Sequence, residues 1–251
     1  MTADIKTIAA QGCYGVSCLT ALTVQSTAGV RRVEPVDSTL LRDILDFLSE
    51  DVEIRAVHIG MLGSGAIAQV VAEFLDASRL RHVVLDPILK SSSGADLIDA
   101  EGVKVLKEQL LPLAEIITPN LEEAAALTGL PVGNVDEMRA AAEKLHSMGP
   151  KAVVITGGHL HEAIDFLSIA RPGEIERKTF TSERLTSNST HGTGCAFATA
   201  LACHLALGKN VPEAVALAKD YVHNAIASAY PLGKGIGPLN LEGFGGQRLG
   251  K

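Results

Sequence analysis

Apolar residues along the chain come in two rhythms. Short continuous runs, AVHIGML (56–62), HVVLDPIL (82–89), EIITPN (115–120) and AVVITGG (152–158), end in Gly, Pro, Asp or Asn and read as buried strands. Between them, AIAQVVAEFLDAS (66–78), AEGVKVLKEQLLPL (100–113) and VDEMRAAAEKLHSMG (135–149) repeat their apolar positions at three- and four-residue steps and predict helices. Strand and helix alternating in this way imply right-handed βαβ units, hence an α/β fold with a mostly parallel sheet covered on both faces. AIDFLSIA (163–170) and IERKTFTSERL (175–185), separated by RPGE, predict a hairpin at one sheet edge. No linker rich in Pro, Gly or Ser divides the chain and no internal repeat appears, so residues 1–251 read as a single domain with a loose tail at FGGQRLGK (244–251).

Open α/β sheets bind ligands at the carboxyl ends of their strands. His58-Ile59-Gly60-Met61, Asp86-Pro87, Thr118-Pro119-Asn120, Thr156-Gly157-Gly158 and the loop before Cys195 all fall at or just past such ends, and are expected to share one rim. Gly192-Thr193-Gly194-Cys195 opens an apolar run that stops at Gly208. The first amides of a helix there have no internal partner, the macrodipole is positive, and glycines let a multiply charged oxyanion approach. A Gly-rich turn that merely caps a core helix fits the same letters. Cys195 in the first turn is expected to have a lowered pKa and to serve as a base for an attacking hydroxyl; the plain alternative is a small buried residue beside Cys203. His191, just ahead, reads as a substrate contact or a turn residue.

The other candidates carry paired readings too. In ITPNLEEAAALTG (117–129), Asn120 and Glu123 either organise water around Mg²⁺ or form a capping box. Asp86 stands behind a metal, receives the charge of Lys90, or caps its strand. KSSSGAD (90–96) has the composition of a lid. Gln25, in LTALTVQSTAGV (19–30), offers a paired donor and acceptor to a flat heterocycle, or is an exposed edge residue. Lys234, among the glycines of LGKGIGPLNL (232–241), reaches a phosphate or sits in a solvated loop.

Composition narrows the classes. Hydrophobic residues make up 47% and aromatics 4% with no Trp, so the core is aliphatic. Net charge is −7 without any basic block, which excludes a nucleic-acid footprint. Any phosphate must therefore be held by amides, a metal and one or two cations. Cys13, Cys18, Cys195 and Cys203 form neither a metal pair nor a disulfide framework, which fits a reducing cytoplasm. No run reaches the ~18 apolar residues of a membrane span, and MTADIKTIAAQG has no signal-peptide core.

Taken in order, ADIKT, YGVSCLTALTVQST, HIGML, LDPIL, SSSG, ITPNLEEAAALTG, VVITGGHL, STHGTGC and LGKGIGP resemble the hydroxymethylpyrimidine and phosphomethylpyrimidine kinases of thiamine synthesis, in the ribokinase-like superfamily. The resemblance covers nearly the whole chain. It implies a three-layer sandwich, ATP and Mg²⁺, and two successive phosphorylations of a small aminopyrimidine alcohol by a homodimer. By that resemblance Gln25, Asp4, Met61 and His191 meet the substrate, Gly192, Thr193 and Gly194 form the anion hole, and Cys195 is the base. Asn120, Thr156, Gly157, Gly158 and Lys234 fall on the nucleotide side, and Glu123 and Asp86 on the metal. Family members begin with a strand and a Gly-rich segment before the position of Asp4. The chain as given is thus expected to lack that first strand, either because its start is set too late or because it is truncated. Thr156 stands where the family often has Lys, Ser189 where it has Asn, and Leu241 where it has His. Pyridoxal kinase is the nearest rival reading. A catalytically weak pyrimidine-binding protein is the rival from another class.

Overall fold

The computed structural model describes residues 1–91, 94–158 and 162–242. The centre of the KSSSGAD lid, the end of VVITGGHL and the FGGQRLGK tail lie outside the described residues. Elements run α1 (Thr2–Ala10), β1 (Ala21–Ser26), β2 (Gly29–Pro35), α2 (Ser38–Asp51), β3 (Val57–Ile59), α3 (Gly65–Ser78), β4 (Val83–Leu85) and α4 (Ala100–Val105). A π-helical turn (Leu106–Leu110) joins α4 to α5 (Leu111–Leu113). Then follow β5 (Ile116–Ile117), α6 (Leu121–Thr128), α7 (Val135–His146), β6 (Ala152–Gly157), β7 (Ala163–Arg171), β8 (Glu174–Ser182), α8 (Thr193–Ala206) and α9 (Val211–Ala227).

The main sheet has the order β3-β4-β5-β6-β7-β8. Its first four strands are parallel, and β7 and β8 add the antiparallel hairpin at one edge. Each parallel strand lies beside its predecessor. Crossovers of one hand then place every connecting helix on the same face. Leu85, Ile117, Val153 and Ile155 meet those helices there. Their alternate neighbours Val84, Ile116, Ala152 and Val154 point to the opposite face, where α8 and α9 cover them. Period-two alternation with both sides buried is why the strands read as unbroken apolar runs.

Three local features differ from the sequence reading. The strands are shorter than the runs, because Gly60, Pro87 and Pro119 interrupt the ladder at its carboxyl end. Alignment nevertheless persists beyond them, through Asp86 N to Ile59 O (2.8 Å), Thr118 N to Leu85 O (3.0 Å) and Thr156 N to Pro119 O (2.9 Å). The 100–113 helix carries a π turn, with Pro112 in its last turn. And the 19–30 run does form a strand, but β1 pairs only with β2 in a separate two-stranded sheet. Strand β3 ends the main sheet, and no described strand pairs with its outer edge.

Helix starts are mostly sealed by side chains: Asp37, Ser64, Asp99, Asn120, Asn134 and Asn210 each accept from the amide three residues on. Helix α8 is different. Its N-cap is Gly192 at φ +88°, with no side-chain cap.

Gly149 is the glycine that packing most plainly demands. Its φ is +127°, and a Cβ there would lie 2.4 Å from Pro112 Cα. Gly149→Ala is expected to cost roughly 2–4 kcal/mol in urea unfolding. Gly129→Asn, at φ +74° with open space around it, is expected to cost under about 1 kcal/mol.

Candidate active site

A cleft of about 2220 Å³ opens at the carboxyl ends of β3 to β6 and runs along the free edge of β3. Of the residues singled out in the sequence, Asp4, Gln25, Met61, Asp86, Asn120, Glu123, Thr156, Gly158, His191, Gly192, Thr193, Gly194 and Cys195 all line it.

Gly157 and Lys234 do not. The Gly157 amide is turned to Asp165 Oδ1 (3.0 Å). The amide of Lys234 lies 3.2 Å from Thr27 Oγ1 at the β1–β2 tip. The loop presses there so closely that a Cβ on Gly235 would come within 2.0 Å of Thr27 O. That contact fixes the loop to the hairpin.

At the start of α8, Ala196 N closes the first turn on Gly192 O (2.9 Å), and Thr193 N makes only a long contact to Thr190 O (3.4 Å). Among the described residues the amides of Gly194 and Cys195 have no protein acceptor. Two donors at the positive end of a helix, with glycine beside them, are suited to an oxyanion. Just ahead, the amide of His191 is held by Gly237 O (3.0 Å). The Gln25 side-chain nitrogen, which can only donate, lies 2.8 Å from His191 Nε2. Gln25 and His191, distant in sequence, thus meet at the rim.

The floor is acidic. Asp86 is 4% exposed and Glu123 8%. The Cys195 thiol donates to Asp86, whose pKa is raised well above the carboxylate range by burial and then by Glu123 and Asp4. Cys195 itself departs from the sequence expectation. Its pKa is pushed well up, first by burial and then by the negative charges of Asp86 and Asp4. Burial, together with carboxylates the sequence did not show to be adjacent, sets the direction of the shift.

Asn120 and Glu123 form the capping box. Asn120 Oδ1 accepts from Glu123 N, and Glu123 Oε2 accepts from Asn120 N, both at 2.9 Å. Burial holds Glu123 at about 7 against these bonds and one from the Leu89 amide. Lys90 pairs with Asp96 (3.7 Å), so it is not the partner of Asp86 that the sequence offered.

Sequence reasoning missed two constellations. Asp165, across the ladder from Thr156, accepts from Lys219 Nζ at 2.8 Å, and Lys219 also donates to Ala163 O at 2.9 Å. This almost buried cation stands by the strand end that carries Thr156. An acid on the inward side of a buried strand was the available signal for Asp165; nothing local marks Lys219. The second is Thr199, four residues after Cys195, which bonds both Asp4 (3.0 Å) and His58 (2.9 Å).

Residues 1–240 match the family model for phosphomethylpyrimidine kinase. A hydroxymethylpyrimidine/phosphomethylpyrimidine kinase of Streptomyces coelicolor is 39% identical over 239 residues, covering 95% of this chain and 87% of that protein. The thiamine biosynthesis bifunctional protein ThiED of Geobacter sulfurreducens is 44% identical over 238 residues, covering 95% of this chain; the chain spans about half (48%) of that longer protein. Among solved structures, the pyridoxal kinase of Staphylococcus aureus in complex with AMP-PCP and pyridoxal superposes with a TM-score of 0.87 at 29% identity, over 99% of this chain and 89% of that one. By sequence and by its ribokinase-like fold, the chain belongs to the phosphomethylpyrimidine kinase family.

Proposed function

We propose that the cleft transfers the terminal phosphoryl group of ATP to the hydroxymethyl arm of 4-amino-5-hydroxymethyl-2-methylpyrimidine, and then to the resulting monophosphate, in thiamine biosynthesis. The observation that carries this reading is the pair of unengaged amides at Gly194 and Cys195, beside a thiol and a buried carboxylate. Phosphoryl transfer has a loose transition state, so positioning and charge stabilisation dominate. In this reading Gly192, Thr193 and Gly194 present backbone to the moving group. The acceptor hydroxyl passes its proton to the Cys195–Asp86 pair in the state in which Asp86 is ionised, as it would be beside a bound cation; in the free protein burial and its acidic neighbours keep Asp86 protonated. The second acceptor, a phosphate, ionises by itself and needs less of this help. Asp4, Met61, Gln25 and His191 take the ring side. Asn120, Thr156 and Gly158 take the nucleotide side, with Lys219 supplying a cation near Thr156.

The donor set suits Mg²⁺. Glu123 raises the pKa of Asp86, so the two buried carboxyl groups disfavour each other's charge. No cluster of three His, Cys, Asp or Glu that could hold a metal is found among the described residues. Mg²⁺ ordinarily takes one or two carboxylates and completes its shell with phosphate oxygens and water. Asp86 and Glu123 would hold it, and when bound it would neutralise charge developing on the phosphates.

We further assign the hairpin face bearing Leu22 (58% exposed) and Val24 (50%) to a homodimer contact. The protein is proposed to act in the cytoplasm; no helix among the described residues is long and apolar enough to cross a membrane. Pyridoxal is the competing acceptor, favoured by the likeness to the Staphylococcus aureus structure.

ADP release measured with both acceptors decides between them: turnover with the aminopyrimidine should exceed that with pyridoxal, and the reverse order would reject our choice. Cys195→Ala should lower kcat for the hydroxymethyl acceptor about 100-fold and for the monophosphate considerably less. A second expectation concerns pH. The folded-state pKa of Glu123, about 7, lies above its unfolded value of 4.5. Its stabilising contribution is therefore complete below pH 4.5 and is lost as pH rises through 7. Glu123→Gln keeps the capping pattern and removes the titration. Denaturation midpoints of the ligand-free proteins should diverge in favour of the variant across that window.

A further inference from the structure

The glycine-rich loop LGKGIGP (232–238) joins two parts of the site. At one end it grips the tip of the β1–β2 hairpin. Thr27 Oγ1 accepts from two successive amides, Lys234 N (3.2 Å) and Gly235 N (3.3 Å), which occupy the two lone pairs of a hydroxyl. The backbones meet there with no side chain between them. A Cβ on Gly233 would stand 2.3 Å from Thr27 Oγ1, and one on Gly235 2.0 Å from Thr27 O. At the other end, Gly237 is docked on the segment that leads into α8. Its amide donates to Asn188 O (2.8 Å), its carbonyl accepts from His191 N (3.0 Å), and a Cβ there would lie 2.8 Å from Ser189 Oγ. Ile236 alone separates the two attachments.

The hairpin needs such an anchor. None of its residues 21–35 is buried, and it pairs with no strand of the main sheet. A two-stranded hairpin of this kind is marginal in water and does not hold its own place. Its root is tied through Thr20, whose Oγ1 donates to Met61 O (2.6 Å) and whose carbonyl accepts from Val36 N (3.0 Å). Toward the tip it is held by Thr27 and by Gln25, whose side-chain nitrogen lies 2.8 Å from His191 Nε2. Hairpin tip, loop, residues 188–191 and Gln25 thus close a ring. The one loop fixes both members of the Gln25–His191 pair, His191 through Gly237 and Gln25 through Thr27, two residues on.

We propose that Thr27 is a positioning residue for the acceptor: its hydroxyl, clasped by the amides of Lys234 and Gly235, sets the hairpin wall at Gln25 against the approach to α8 at His191. The inference rests on the reading of Gln25 and His191 as the acceptor side of the cleft and deepens it. Loss of the clasp lets that wall move away, while α8 stays packed with α9 under the main sheet. The acceptor is then bound less tightly. The nucleotide side and the start of α8, carried by other elements, are left as they are.

Thr27→Val keeps the shape of the side chain and removes its oxygen. It should raise KM for the aminopyrimidine about tenfold, the worth of the lost hydrogen bonds, with kcat and KM for ATP within about twofold of wild type. Thr27→Ser should restore most of the loss. Gly235→Ala, which keeps the hydroxyl but drives a methyl group against Thr27 O, should give the same rise. Calorimetric binding of the aminopyrimidine without nucleotide should weaken by the same factor, which tests the clasp even where no ADP is released. Amide hydrogen exchange in the ligand-free proteins should be faster at Lys234 and Gly235 in Thr27→Val than in wild type. Unchanged acceptor binding in folded Thr27→Val, an equal rise in KM for ATP, no rescue by serine, or unaltered exchange at both amides would each overturn the proposal. Should the wild type turn over pyridoxal alone, the same split measured with pyridoxal upholds the clasp and rejects the aminopyrimidine reading. Aminopyrimidine turnover with an unmoved acceptor KM rejects the clasp alone.

Discussion

The site depends on the burial of α8. Its residues Ala196 to Ala202 are almost wholly enclosed, and Phe197, Leu201 and Leu205 pack with α9 under the second face of the sheet. Because the connecting helices all pass over the first face, that second face would otherwise expose Val84, Ile116 and Val154. Covering it is worth roughly 25 cal/mol per Å² of apolar surface. The helix is held by its apolar length, and so its start lands at the carboxyl ends of β3 and β4 without needing a capping side chain. The glycine start leaves amides for a ligand that a serine or aspartate cap would have satisfied internally.

Around that helix start the chain gathers negative charge. Asp4, Asp86 and Glu123 come from α1, from the end of β4 and from α6, and each perturbs the others or the Cys195 thiol between them. A cluster of this kind is costly in the free protein unless a cation balances it. Lys219, already committed to Asp165, marks the opposite side of the cleft with positive charge. The polarity thus runs from an acidic floor under Cys195 to a cation near Thr156. This order matches an acceptor that loses a proton and a donor that brings phosphates.

Much of this was legible in the letters. The period-two and period-3.6 patterns locate the strands and helices, and the residues that stop each strand, Gly60, Pro87, Pro119 and Gly157, are the ones that place the rim. The capping box at Asn120 and Glu123 follows from spacing alone, since both partners lie within one turn. Distance in sequence defeated the rest. Lys219 is paired with a residue 54 positions away, and Gln25 with one 166 away. Lys234 sits by the hairpin because Gly235 permits contact with Thr27, and no local pattern announces that packing.

The direction of the Cys195 shift shows the division most clearly. By itself the sequence determined that a thiol opens a helix behind glycines, that the core is aliphatic, and that the chain reads as this kinase family. Those are local or compositional properties, set by backbone geometry and by which side chains avoid water. Only the tertiary structure decided the direction of the thiol's shift and the company of Asp86. Charges act through space with a reach of several ångströms, and which charges fall within that reach is settled by the fold.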